Sequence, residues 1–455
     1  MSILSQIGYS GVRASQVALT TTGQNIANVN TPGFSRLNPV FGSLAGQGGL
    51  SVGGGVQVTS IRRLANDFQN QQLWRANTEL SYYSNAQQYL TSLEGLMAGE
   101  GSSISVGLDR FFAAVSEASA SPDSIALRQQ ILSEAKNLSQ RFNGLGSNIG
   151  AQLNALHEQR GAMAGEVNGL IGNIALLNRK IVETESVGGD SAALRDHRES
   201  LVKDLSQYAG LRVHETPDGA LSVALANGQP LVAGSTAGQL QVNTTASGEQ
   251  VVALSFAGTS FPLKQDGFDG ALGGLYDSEY DSLRPALEAL HDMAGALAQM
   301  LNDTLVTGFD LAGNPGQPLL AYNAASTTAM LSVNALAPEQ LAFSSTAGET
   351  GNNEVLLALL ELKRQTITLG GSQVTLNDAY AGLLGQVASA SRQNQADLKS
   401  ATAVAEQAQA QRDSVSAVSL DEEAVNLMTY QQAYQANMKV ISTANQMFDD
   451  MLAAF

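Results

Sequence analysis

The sequence predicts a multidomain, mainly α protein with β insertions. It reads as an elongated molecule whose N- and C-terminal helices pair as a coiled coil, with a long-helix bundle between and a small β domain at the far end. Three observations carry that expectation. Leu420, Leu427, Tyr434, Ile441, Phe448 and Phe455 recur at an unbroken seven-residue interval, and Ala424, Gln431, Met438, Asn445 and Leu452 stand four residues on, completing a heptad seam. At the other end Ile3, Ile7, Ser10, Ala14, Val17 and Thr21 step by four and three in smaller residues. Between residues 211 and 263 the helical period gives way to strict alternation broken by hairpin dipeptides.

Taken in order, residues 2–28 read as one helix, stopped by Asn28-Val29-Asn30-Thr31-Pro32-Gly33, where Pro disfavours helix at Thr31 and Gly permits a turn. Residues 34–60 are Gly-rich with β-like fragments and read as an extended crossing segment. Ile61, Leu64, Phe68, Leu73, Ala76, Leu80, Tyr83, Leu90, Leu93 and Met97 keep helical spacing. A short helix follows near 108–119. Ser121-Pro122-Asp123 then starts a pattern running from Ser124 to about Glu185, which at about 1.5 Å per residue extends about 90 Å. Gly144, Gly146 and Gly150 are candidate bends in it. Gly161, Gly165 and Gly169 sit four apart and predict a groove for close helix packing. A helix over 191–209 folds back.

Residues 210–270 read as the small β domain, with turns at Asp218-Gly219, Asn227-Gly228 and Ser247-Gly248. Helix resumes over 278–306. An irregular stretch to 350 holds weak strands near 330–333 and 341–343, and helices follow near 353–365 and 376–414. Ser419-Leu420-Asp421-Glu422 has the capping-box spacing and opens the last helix. The nesting divides the chain into a terminal assembly domain (1–60 and 416–455), a helical bundle (61–209 and 271–415) and the β domain (210–270).

At 455 residues the chain is too long for one core, which rarely grows past about 250–300 residues. Its 41 acidic and 24 basic side chains leave a net charge of −17, a surface that repels nucleic acid and anionic membrane. No apolar run reaches the ~18–20 residues of a membrane span, and no cleaved signal peptide is evident. The absence of Cys excludes disulfides, thiolate metal sites and cysteine nucleophiles. The charge is split along the chain. No acid precedes Asp67, while Arg13, Arg36, Arg62 and Arg63 do; from Ser416 onward come Asp421, Glu422, Glu423, Asp449 and Asp450 against Lys439 alone. Opposite signs on two pairing helices set register and partner choice.

The sequence holds no recognisable catalytic constellation. The four His (His157, His197, His214, His291) form no metal-spaced pair, and Gly161 stands where a zinc-protease helix after His157-Glu158 needs its second His. Asp196-His197-Arg198-Glu199 reads as a solvated helix face. No nucleophile elbow or phosphate loop occurs, and Gly144, Gly146 and Gly150 have the wrong spacing for a dinucleotide site. Asp421-Glu422-Glu423 points to several faces of one helical turn, where acids complement the helix dipole. No catalytic, cofactor or metal residue is assigned, and the chain reads as a non-enzyme. A cytoplasmic coiled-coil scaffold remains an alternative on these grounds.

Two segments carry a resemblance. Asn25-Ile26-Ala27-Asn28-Val29-Asn30-Thr31-Pro32-Gly33-Phe34-Ser35-Arg36 resembles the N-terminal signature of the bacterial flagellar axial proteins of rod and hook. Ser419–Leu427, Tyr430–Ala436 and Val440–Asn445 resemble their C-terminal motif. Phe34 stands where the family often has Tyr. The helical middle around a β insert is similar to the members at the hook–filament junction, and the chain is short for them, implying a reduced or missing outer domain. The resemblance implies export without a cleaved signal to the flagellum outside the cell, and terminal helices that order on assembly. It implies as partners copies of the same chain, the hook protein, the next hook-associated protein and an export chaperone. Leu4, Ile7 and Val17 with Leu420, Leu427, Tyr434, Met438, Ile441, Phe448 and Leu452 are the candidate assembly residues; Asn25, Asn28, Asn30, Thr31, Pro32 and Gly33 carry the signature. Alternatives are a hook or rod subunit, or an exported enzyme on an axial scaffold.

Overall fold

The computed structural model describes residues 3–45, 53–245, 248–263 and 269–453. Ten α-helices of those residues occupy Ile3–Ala27 (α1), Asp67–Ala98 (α2), Ile104–Ala118 (α3), Ile125–Ser186 (α4), Ala192–Ser206 (α5), Gly270–Asp277 (α6), Arg284–Leu305 (α7), Glu354–Glu361 (α8), Leu376–Ser416 (α9) and Leu420–Ala453 (α10). Local chemistry sets the starts. Asn66 caps α2 by accepting from the Phe68 and Gln69 amides, and Thr375 caps α9 by accepting from Asp378. Ser419 accepts from the Glu422 amide at the start of α10, but the Glu422 carboxylate is drawn away to Arg36, so only half of the capping box forms.

The 62-residue α4 is the spine. Its start is fixed by buried Arg128, which donates to the carbonyls of Pro122 (2.6 Å) and Leu341 (2.5 Å) and lies 4.3 Å over the Phe343 ring. Burial with no carboxylate in contact pulls that guanidinium down to about 10. The N-terminal half of α4 packs with α2, α3, α7, α8 and α9 into one apolar core, including Leu93, Phe111, Phe142, Met293 and Phe343. Its C-terminal half packs with α5 and two small sheets into a second core around Val167, Ile171, Ile174 and Leu254, which also takes in Trp74 from α2. Those antiparallel sheets are β3–β6 (Leu211–Glu215, Leu221–Leu225, Pro230–Ala233, Thr236–Ala237) and β7–β9 (Gln239–Thr244, Gln250–Phe256, Thr259–Pro262).

Several sequence expectations are corrected. β1 (Leu37–Leu44) pairs antiparallel with β2 (Gly55–Arg63), so the predicted extended crossing segment is instead two paired strands. Ile61 therefore belongs to a strand, and α2 begins only after its Asn66 cap. A Cβ on Gly161, Gly165 or Gly169 would meet open space, so these glycines form no packing groove; it is Gly146 that admits a neighbour, with the Thr327 carbonyl 2.6 Å from where a Cβ would sit. Leu341–Phe343 is no strand, although the adjoining Ser344 bridges to Phe309. The pattern missed two hairpins in part or whole: β10 (Leu320–Tyr322) with β11 (Leu331–Val333), and β12 (Thr366–Leu369) with β13 (Ser372–Thr375). Short two-stranded ribbons carry too few alternating positions to stand out from irregular chain.

Candidate assembly interface

The chain termini lie side by side. Arg36, just past the end of α1, reaches Glu422 and Glu423 at the start of α10, whereas Gly8 near the start of α1 lies against Val440 and Ile441. The two helices are therefore antiparallel. Their approach is close because α1 buries small residues, among them Ser5, Gly8, Gly11, Ser15 and Ala18. A Cβ on Gly8 would sit 2.8 Å from Ile441 Cγ1, and one on Gly11 would sit 2.5 Å from Asn437 Cγ.

The face of α10 that closes on the chain differs from the apolar seam. Glu423 and Ala444 are buried, and Asn426, Tyr430, Ala433, Asn437 and Val440 are half-buried. Each of these stands one residue before a position of the predicted heptad, which turns the contact face by about 100° at 3.6 residues per turn. Tyr434 and Ile441 flank it, half-buried. Leu420 (53%), Leu427, Met438, Phe448 (50%) and Leu452 (60%) are exposed; Phe455 lies outside the described residues. On α1, Leu4 is exposed, Ile7 and Val17 are half-buried, and Ile3 is 70% exposed. The physical reason is size. Small side chains gain contact by bringing two backbones together, while the bulky ones would hold them apart and are left facing outward.

The signature segment folds into a knot between this terminal pair and the body. Asn25 is buried, accepting from the Leu37 amide and donating to the Leu37 carbonyl, both at 2.9 Å, so α1 seats the first residue of β1. Asn28 donates to the Gln24 carbonyl and accepts from Thr31, tightening the turn; Asn30, Thr31 and Pro32 are exposed on it. Gly33 takes φ +81°, and its carbonyl accepts from buried Arg412 near the end of α9. Arg412 also donates to the Ser35 hydroxyl, while the Ser35 amide donates to Asp196 of α5. Arg63, at the end of β2, bonds Asp196 and Glu199.

Burial opposes the charge on Arg36 and Arg63, but the carboxylates of Glu422 and Glu423, and of Glu199 and Asp196, outweigh it and raise both above the ordinary arginine value. Of the four N-terminal cations, Arg36 alone pairs with α10 among the described residues. Asp196 and Arg198 correct the reading of a solvated α5 face. Asp196 meets the knot, while Arg198 is buried on Asn178 and the Gly219 carbonyl, because α5 is sandwiched between the hairpin base and the first sheet. Arg412 and Asp196 carry no local signal, since their partners in the knot lie 133 to 379 residues away in sequence.

Comparisons with known proteins agree with this layout. The family model described as "Flagellar hook-associated protein FlgK helical domain" matches residues 90–320, about half of the chain. "Flagella basal body rod protein" matches residues 6–34, and "Flagellar basal body rod FlgEFG protein C-terminal" matches 409–454. The chain is 26% identical over 552 residues to flagellar hook-associated protein 1 of Escherichia coli, covering 99% of this chain and 100% of that protein. It is 23% identical over 484 residues to the Bacillus subtilis protein of the same name, covering 96% and 95%. Among solved structures, the flagellar hook junction protein FlgK from Burkholderia pseudomallei matches in fold with a TM-score of 0.68 at 18% identity, over 75% of this chain and 99% of that one. By its helical domain and its two terminal motifs, this chain belongs to the flagellar hook-associated protein 1 (FlgK) family.

Proposed function

We propose that the chain is a structural adaptor joining the hook to the filament, assembled through its terminal helices after export to the flagellum. The observation that carries this reading is the row of exposed apolar residues on α10, Leu420, Leu427, Met438, Phe448 and Leu452, on a helix already packed along its other face. Such a face is an interaction surface rather than a soluble end state. Copies of the chain, the hook protein and the next hook-associated protein are the expected neighbours, and an export chaperone would cover the face beforehand. In this reading residues 1–60 and 416–455 form the assembly domain, 61–209 with 271–415 the bundle that faces outward, and 210–270 the distal β domain. The role needs no reaction: Arg160 and Glu279, two of the most buried charges outside the knot, pair with each other, and Arg198 is held by Asn178, the Gly219 carbonyl and Glu215.

Deleting residues 420–455 tests the proposal. The expected product is a soluble protein with an intact body that leaves cells with hooks but no attached filaments. Normal motility with attached filaments in that strain would overturn the proposal. Polymerisation of the purified full chain into long tubes would instead favour a hook or rod subunit, and hydrolysis of peptide or cell wall by it would favour an enzyme.

A further inference from the structure

The charge split is only partly used inside one molecule. Arg36 is taken by Glu422 and Glu423, and Arg63 by Asp196 and Glu199. Arg13 and Arg62 are exposed and have no ion pair among the described residues, and the same holds for Asp449 and Asp450 at the far end of α10. In a chain of net charge −17, the segment before Asp67 holds no acid of its own and still carries unpaired cations.

The register of the terminal pair places the unpaired anions. With Gly8 against Val440 and Ile441, and with Ser5 and Ala444 the next buried positions, α10 runs on past the first described residue of α1. Every described residue from Asn445 to Ala453 is exposed. That end is amphipathic in an unusual sense: Met447, Phe448, Met451 and Leu452 bracket Asp449 and Asp450. Its complement lies on α1, where Tyr9 (56% exposed) and Arg13 stand one turn apart on a face turned away from Gly8 and Gly11. Within one molecule the two cannot meet. Arg13 lies beyond Gly11, toward the end of α1 that pairs with the start of α10, whereas Asp449 lies beyond Ala444 in the opposite direction.

We propose that the end of α10, Met447–Leu452, docks on the Tyr9/Arg13 face of α1 in a second copy of this chain, with Asp449 and Asp450 meeting Arg13. The occupant is a second copy because each molecule carries both halves of the complement on one helix pair, Arg13 near the middle of α1 and Asp449 and Asp450 on the end of α10 that runs past it, too far apart to meet each other. Such a contact is head-to-tail, and repeated it builds a ring or helix of subunits rather than a closed dimer. The inference rests on the assembly role proposed above and specifies which surfaces meet.

The absence of Cys makes the test direct. Full-length Arg13→Cys and Asp449→Cys chains are co-expressed in a strain lacking the native copy, and isolated flagella are oxidised. Each copy holds one thiol, so a mixed disulfide dimer reports an intermolecular contact. The expected result is a mixed dimer well above that from an Arg13→Cys chain paired with a Val187→Cys chain, whose exposed thiol sits on the body. In a second arm, Arg13→Glu or Asp449→Lys/Asp450→Lys each lowers filament attachment severalfold, and the three changes together in one chain restore it. All three residues are exposed, so folding is not at stake. Chains present in the flagellum that give no mixed dimer and no restoration overturn this inference while leaving the adaptor role standing. Chains absent from flagella, with hook and filament intact, overturn both.

Discussion

Helical asparagines do much of the joining of helix to strand. Asn25, Asn143, Asn168, Asn178 and Asn302 each accept from the amide and donate to the carbonyl of a single buried strand leucine: Leu37, Leu331, Leu240, Leu221 and Leu320 respectively. The side-chain amide acts as one more residue of sheet backbone, satisfying polar groups that burial would otherwise leave unpaired. Asn178 goes further, donating also to the Gly234 carbonyl and accepting from Arg198. Asn178→Asp keeps the shape but removes both donated bonds, leaving the Leu221 and Gly234 carbonyls without them. It should destabilise the second core by about 2–4 kcal/mol. Trp74, the chain's single tryptophan, lies in that core, so a urea titration followed by its fluorescence reads the effect; an unshifted midpoint would contradict the account.

Glu279 ties stability to pH. Burial would raise its carboxyl, but the hydrogen bond from His157 and the charges of Arg160 and Arg284 hold it below the ordinary value of 4.5. A folded value below the unfolded one gives stability that is full above pH 4.5 and is lost as pH falls through the depressed value. Glu279→Gln should therefore flatten the acid limb of a stability–pH profile while lowering stability at neutral pH, by about 3–5 kcal/mol for a broken buried ion pair. A profile unchanged in shape would refute this.

Among whole elements, α10 is attached at two kinds of place, a close helical contact and an ionic knot, and each gives its own prediction. Gly8→Leu puts a side chain where Ile441 and Val440 already stand, so it should wedge α1 from α10 at a cost of about 1–3 kcal/mol. Limited proteolysis should then cut α10 faster than in the unchanged chain, and equal rates would mean that the approach is unimportant. Arg36→Ala leaves Glu423, with its side chain 2% exposed, without its cation. Freed α10 should again be cut early, but the Trp74 unfolding transition should stay where it was, because the ion pair joins the terminal pair to itself and not to the second core. A shift of that transition would show that the knot supports the body as well.

In the whole molecule the body buries ordinary apolar cores, whereas the terminal pair places a bulky apolar row outside and a small-residue contact inside, the reverse of an ordinary folding pattern, which suits a chain completed by neighbours. The alignment with the Escherichia coli relative runs over 552 positions against 455 residues here, so that protein holds residues this one lacks. Helix lengths, the span of α4 and the position of the β insert were legible in the sequence, because long periodic runs and hairpin dipeptides are local signals. The two terminal motifs likewise identified the family from short stretches of chain. Which face of α10 meets α1 was not legible: heptad reading ranks faces by side-chain bulk, whereas the folded chain chose the face that lets backbones come closest. Nor could the partners of Arg412, Asp196 and Asn178 be read, since each meets chain that is remote, or arrives through a turn whose direction is set by packing. The long helices, the β insert and the family are written in local sequence signals, whereas the short hairpins are not; which helix face is spent within the molecule and which is left for the next is set by folding, because that choice depends on how near two backbones can approach.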